Sequence, residues 1–190
     1  MRINTWVKTF SLLMMAFLMT ASVAGAATVQ ERRDKVQKMS SETLQKLYNV
    51  HPTAQGAIEK GYGHAVFDHS DLQIGFLGGG GGYGLATINS TNTQIYMRAV
   101  NVSVGLGIGI KSYMLIFVFE SQQAFEKFTS GKWELGGQYT AAATDGVSGD
   151  SIQGALSVGQ GIWVYQLTDK GLALTATIRG TRYYKDKDLN

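Results

Sequence analysis

Residues 60–84 read KGYGHAVFDHSDLQIGFLGGGGGYG, from Lys60 to Gly84. A short β-like run, a polar interruption at Asp68–Asp71 and a cluster of glycines stand side by side, with no catalytic group among the glycines. A second run, Asn101–Lys111 (NVSVGLGIGIK), repeats the pattern more strictly. There Val102, Val104, Leu106, Ile108 and Ile110 alternate with Ser103, Gly105, Gly107 and Gly109. Strand side chains point to opposite faces in turn, so the run predicts one aliphatic row and one face of nearly bare backbone. Glycine inside a strand costs backbone entropy, so a bare face predicts close approach by another strand, a helix or a ligand. The fold class this implies is α+β, with N-terminal helices packed on a glycine-rich, mainly antiparallel, strongly curved β-sheet or partly closed barrel.

Upstream of these runs the pattern is helical. In Thr28–Asn49, Val29, Val36, Met39, Leu44, Leu47 and Tyr48 share a broad face, and the charged residues lie mostly off it. Ser40 and Ser41 offer a fresh N-cap that could divide this helix in two. A second helix is predicted to open at Pro52 and to end before Gly61. From Gly63 onward the reading is β, with strands at His64–Phe67, Gln73–Leu77, Tyr83–Ile88, Gln94–Ile110, Met114–Phe119, Gly161–Leu167 and Leu172–Arg179. Asn89–Thr93 (NSTNT) and Thr168–Gly171 (TDKG) are turns. Ser121–Thr129 reads as a short capped helix that turns Phe125 and Phe128 inward. Gly131–Ser151 is small and polar, and strand and loop both stand as readings.

The first 26 residues read as an address. Met1–Lys8 carries Arg2 and Lys8 without an acid, Phe10–Val23 is largely apolar, and Ala24–Gly25–Ala26 is a small-x-small cleavage pattern. The expected organisation is therefore a signal peptide at 1–26 and a single domain at 27–190, helical over 28–60 and mainly β over 61–190. Without Arg2 and Lys8 the 17 basic residues fall to 15 against 14 acidic ones, a net of +1. So balanced a charge gives no argument for nucleic acid as a partner. The chain has no cysteine, so an exported domain must hold together by packing alone.

Catalytic chemistry is sought without success. Gly79–Gly84 formally matches GxGxxG, but Leu85–Ile88 continues as strand where a dinucleotide site needs a helix, and no GK[ST] follows. His64 and His69 lie near Asp68 and Asp71. Polar residues flanking a turn account for them better than a metal centre does, because the strand alternation scatters the ligands. No GxSxG elbow and no histidine after His69 supports a triad. The expectation is a non-enzyme with no cofactor and no metal.

Two basic clusters remain. Arg32, Arg33, Lys35, Lys38 and Lys46 ride the leading helix, and Arg179, Arg182, Lys185 and Lys187 accompany Tyr183 and Tyr184 near the tail. A basic amphipathic helix can lie in a membrane interface. The same pattern also suits a helix docked on the sheet with its charges in solvent, and Glu31, Asp34 and Glu42 dilute the cluster.

Taken in order, AIEKGYGHAVFD, GFLGGGGGYG, VSVGLGIGIKSYMLIFVFES, AFEKFTSGKWELG and GIWVYQLTDKGLALTATIRGTRYYKDKDLN resemble the SYLF family, from about Leu44 to Asn190. The resemblance implies a glycine-rich β domain with N-terminal helices that binds acidic phospholipids, phosphoinositides in eukaryotic members. Some yeast members also bind and bundle actin. On this resemblance Arg32, Arg33, Lys35 and Lys38 become headgroup candidates by position and character, and Lys46 extends the same basic face. The chain departs from the family at Asp68, where many members have proline, and at Gln166–Asp169, which replaces a more basic turn.

A signal peptide would put phosphoinositides and actin out of reach and make anionic phospholipid such as phosphatidylglycerol or cardiolipin the expected partner. The expected setting is the periplasm or the periphery of a bacterial envelope membrane. Two alternatives stand beside this reading: an integral outer-membrane β-barrel, and an envelope structural or stress protein that binds another protein.

Overall fold

The structure is a computed structural model, and it describes residues 27–131, 152–173 and 180–190. The expected signal peptide, most of the undecided stretch 131–151 and the end of the expected strand Leu172–Arg179 lie outside them. Three helices are described, α1 (Val29–Val50), α2 (Thr53–Lys60) and α3 (Gln122–Thr129). The strands are β1 (Gly63–Ile88), β2 (Thr93–Phe119), β3 (Leu156–Ser157), β4 (Ile162–Thr168), β5 (Gly171–Ala173) and β6 (Thr181–Lys185).

The sheet is built on one long hairpin. β1 pairs antiparallel with β2 from Gly63↔Phe119 at the open end to Ile88↔Thr93 at the turn, with a register shift between Gly75 and Leu77. Five of the expected strands thus merge into two. Asp68–Asp71, expected as a turn, is strand. Each of its residues has a partner in β2, from Asp68↔Met114 to Asp71↔Lys111, and this pairing overrides the local turn preference of His-Ser-Asp. β2 then takes β4 alongside Met114–Phe119 and β6 alongside Met97–Asn101. β3 and β5 extend from β4, and among the described residues the sheet does not close on itself.

The hairpin also doubles back. A Cβ added at Gly63 would lie 2.6 Å from the Thr87 carbonyl oxygen. One at Gly84 would meet Val66 and Phe67, one at Gly82 the Asp68 carbonyl, and one at Gly80 Ser70 and Asp71. These contacts lay the returning half of β1 antiparallel against its outgoing half, with the fold-back centred near Gly75. Gly75 has φ +64°, a conformation that glycine adopts without steric cost.

The curl encloses a core of Phe67, Met97, Phe117, Phe119 and Tyr183, plugged by Phe125 and Phe128 of α3. Ser121 caps α3 by accepting from the Ala124 N–H, which places both rings as the sequence predicts. Outside the curl, α1 and α2 cover Val66, Ile116, Val118 and Tyr165 through Leu47, Ala54 and Ile58. With both faces covered, Ala65–Phe67, Leu115–Phe119 and Ile162–Gln166 are buried without alternation.

α1 is one unbroken helix. Its N-terminus is a capping box, in which the Thr28 hydroxyl accepts from the Glu31 N–H and the Glu31 carboxylate accepts from the Thr28 N–H. Ser40 is buried inside the helix and does not start a second one. At the hairpin turn, Asn89 donates to the carbonyls of Ile58 and Gly61, at 2.6 and 2.8 Å, and so ties the end of α2 to the sheet.

Candidate functional site

The five basic residues singled out on α1 fall into two groups. Helical spacing turns Val36, Ser40, Thr43 and Leu47 into the protein, so α1 docks its apolar face on the sheet. Arg32 and Arg33 flank this buried stripe and are half-buried. Arg33 donates through Nε to the Leu189 carbonyl at 2.8 Å, with its guanidinium 5.6 Å from the centre of the Tyr96 ring. Arg32 stands 3.9 Å from the Asp188 carboxylate. Arg33 clasps the C-terminal tail, and Arg32 lies beside it.

The tail makes the clasp worthwhile. Asn190 receives the Tyr96 N–H and donates back to the Tyr96 carbonyl, while Asp186 takes the Arg98 Nε–H at 2.9 Å. Leu189 is buried with Val36 and Leu85. The tail reads in sequence as the second basic cluster, with Asp186 and Asp188 interleaved among its lysines. Its strand β6 was not expected, although Thr181 and Tyr183, two apart and both buried, are the alternation that could have revealed it.

Lys35, Lys38 and Lys46 are exposed, and they surround a recess of about 370 Å³ between α1 and the hairpin. Its floor includes Met114 and Asp68, the two members of one β1–β2 rung. Lys35 lies 5.7 Å from the centre of the Tyr83 ring, and Lys38 is 3.8 Å from Glu42. Both of these contacts are at the surface and weak in water, so the ammonium groups remain available to an anion.

On the inner side, His69 is fully buried, where the sequence suggested a polar residue beside a turn. Its ring stacks on Tyr113 with centroids 5.1 Å apart, and its Nε2 lies 3.5 Å from the Tyr183 hydroxyl. Burial drives the His69 pKa down to about 4, against a smaller opposing pull from Asp71. Burial also raises the Tyr113 phenol, helped by the hydrogen bond its hydroxyl donates to Asp71 at 2.9 Å. His64 likewise loses basicity through burial, partly offset by its hydrogen bond with Asn89. Among the described residues no three His, Asp or Glu gather as a metal site.

The fold-back leaves an elbow. Leu72, Ile74, Phe76, Leu77, Val102, Leu106, Ile108 and Ile110 are all exposed there, Ile108 by 91% and Leu106 by 79%. Soluble domains scatter exposed aliphatic residues singly; a contiguous set marks a contact surface. No described helix is long and apolar enough to cross a membrane.

An open antiparallel sheet roofed by N-terminal helices, with a lysine-lined recess and an apolar elbow, defines an α+β domain. Residues 100–190, just under half of the chain, match the Ysc84 (SYLF) family, described as "Las17-binding protein actin regulator". Beta cell expansion factor A of Aeromonas veronii is 32% identical over 162 residues, which cover 85% of this chain and 60% of that protein. The chain thus spans less than two thirds of that relative. Ysc84 is not a known enzyme family, and the match supports a lipid-binding or actin-regulator-like role at family level.

Proposed function

We propose that this protein is an exported, non-enzymatic lipid-binding domain that associates peripherally with anionic phospholipid membrane in a bacterial envelope. The observation that carries the reading is the division of the α1 cations. Arg33 is hydrogen-bonded to the tail and Arg32 is half-buried beside it, whereas Lys35, Lys38 and Lys46 stand exposed around one recess. Three ammonium groups near an anionic surface contribute about 1 kcal/mol each, enough for reversible attachment but not for anchorage. The family match supports lipid as the partner. A signal peptide at 1–26 would bring phosphatidylglycerol or cardiolipin within reach and keep actin out of it.

Because the apolar face of α1 is built into the core, the helix meets the membrane through its lysines alone, without leaving the sheet. Co-sedimentation with vesicles of phosphatidylcholine, with and without phosphatidylglycerol, tests the reading. Pelleting should require the anionic lipid, weaken with salt, and fall about tenfold or more when Lys35, Lys38 and Lys46 are all replaced by glutamine. An absence of pelleting with anionic vesicles at low salt would refute it.

A further inference from the structure

We infer that the elbow of the β1–β2 hairpin is the element that enters the hydrocarbon of the bilayer, to a depth of about one half-leaflet. The inference rests on the lipid-binding reading above and adds to it the apolar contact that α1 does not supply. The outgoing limb carries the cross-strand pairs Leu72↔Ile110 and Ile74↔Ile108. Phe76, Leu77 and Leu106 stand at the crest, and Val102 lies on the returning limb opposite Gly79. Every one of these side chains is exposed. Between them come Gly75, Gly107 and Gly109, and Gly75 and Gly109 have nothing within 4 Å of a Cβ position.

Charge and dimension select a bilayer as the occupant. From the Leu72↔Ile110 rung to the Gly75↔Gly107 crest is three residues, about 10 Å of strand. That matches the ~5–10 Å penetration of interfacial elements and falls far short of the ~30 Å hydrocarbon core. The charges change sharply at the base of this span. Lys111, one rung below Ile110, is exposed, while its rung partner Asp71 accepts from the Tyr113 hydroxyl and has its other oxygen buried. The outward charge at the apolar boundary is therefore a cation.

Three rungs further down, Asp68↔Met114 floors the recess held by Lys35, Lys38 and Lys46, about 10 Å below Lys111 and near the Debye length of physiological salt. An apolar crest, a cation at its base and three lysines around the recess further down form the sequence of layers that a leaflet presents in reverse.

The chain contains no cysteine, so single cysteines report cleanly. Leu106→Cys at the crest and Thr91→Cys at the far turn of the same hairpin would each carry an environment-sensitive dye. With vesicles containing phosphatidylglycerol, the dye at 106 should shift to the blue and be quenched by lipids brominated near the headgroup end of the acyl chain, and the dye at 91 should not. The double variant Leu106→Ser, Ile108→Ser should partition about 30-fold more weakly, with an unchanged melting curve as the check on folding.

Pelleting without a shift at 106, or undiminished partitioning of the double variant, would overturn the elbow's role and leave the lipid reading intact. Failure to pellet with any vesicle would overturn both. A blue shift at 106 that grows with protein concentration in the absence of vesicles, alongside dimer sedimentation, would assign the surface to a second copy of the chain and overturn the inference.

Discussion

The two glycine-rich runs look alike in sequence and meet opposite fates. Along the returning half of β1, Gly80, Gly82 and Gly84 are pressed against the outgoing half of the same strand, where a Cβ would collide with backbone. Along β2, a Cβ at Gly107 would meet only Cγ of Gln73 at 3.3 Å, and one at Gly109 would meet nothing. The first run uses missing side chains to let two backbones touch. In the second they leave a narrow ribbon whose aliphatic side chains face solvent. Bare backbone predicts close approach only where the chain has something to bring near it.

The largest effect should separate the runs directly. In Gly82→Ala the new methyl would fall on the Asp68 carbonyl oxygen and crowd the buried His69 ring at 3.3 Å. Neither can withdraw, because Asp68 is held in the β1–β2 ladder and His69 is packed against Phe67 and Tyr113. A loss of about 3–4 kcal/mol is expected in urea denaturation, the range of overpacked cores with displaced backbone. If Gly82→Ala melts like the parent, the doubled-back hairpin is wrong.

The packed half should also respond to acid, and the elbow has no group that would. His69 binds its proton near pH 4 when folded, against about 6.5 when unfolded, so the unfolded chain holds more protons between those values. Stability from this group is complete above pH 6.5, declines as pH falls, and levels off below 4, a total of about 3 kcal/mol. His69→Phe keeps a ring on Tyr113 and removes the titration. The fall of its denaturation midpoint between pH 6.5 and 4 should therefore become shallower, with His64 keeping its own share, and an unchanged pH slope would place the acid sensitivity elsewhere.

How much of this contrast could be read in advance depends on how local its causes are. The β pattern, the Ser121 cap with Phe125 and Phe128 inward, and the two N-terminal helices follow from short-range periodicity and capping, and the structure has them. Asp68–Asp71 reads as a turn because its turn chemistry is local, while the β2 partners that hold it extended are some forty residues away. The same holds for Arg32 and Arg33, whose tail contacts span more than 150 residues. Helical period marks Lys35, Lys38 and Lys46 as outward. Nothing in it shows that they share a recess with Met114. The aliphatic row of β2 was legible as a row, but whether it faces core or solvent depends on where the hairpin bends.

A milder test concerns the roof that only the packed half possesses. Thr28→Ala removes the hydroxyl that accepts from Glu31 and opens the capping box of α1, at a cost of about 1 kcal/mol. Hydrogen exchange should quicken in the first turns of α1 and leave the Leu72–Leu77 amides at their parental rates. Equal acceleration in both would mean that the elbow leans on the helix.

The smallest expected effect is the one that defines the open run. Gly107→Ala places its methyl against a flexible glutamine side chain, and nothing about the backbone there demands glycine. The added Cβ narrows the conformations of the unfolded chain, so stability should stay within about 0.5 kcal/mol of the parent or rise slightly. Ile108→Ser removes a side chain that is 91% exposed and should be equally silent in denaturation, because burial already forgone cannot be lost. A matching substitution in the packed half, Phe117→Ala, removes a fully buried ring and should cost about 3–5 kcal/mol. Were Ile108→Ser to approach that figure, the ribbon would have a partner within the same molecule and its exposure would have no functional meaning. A silent Ile108→Ser leaves an aliphatic side chain that contributes nothing to the fold, and its selection must then lie in what it meets outside.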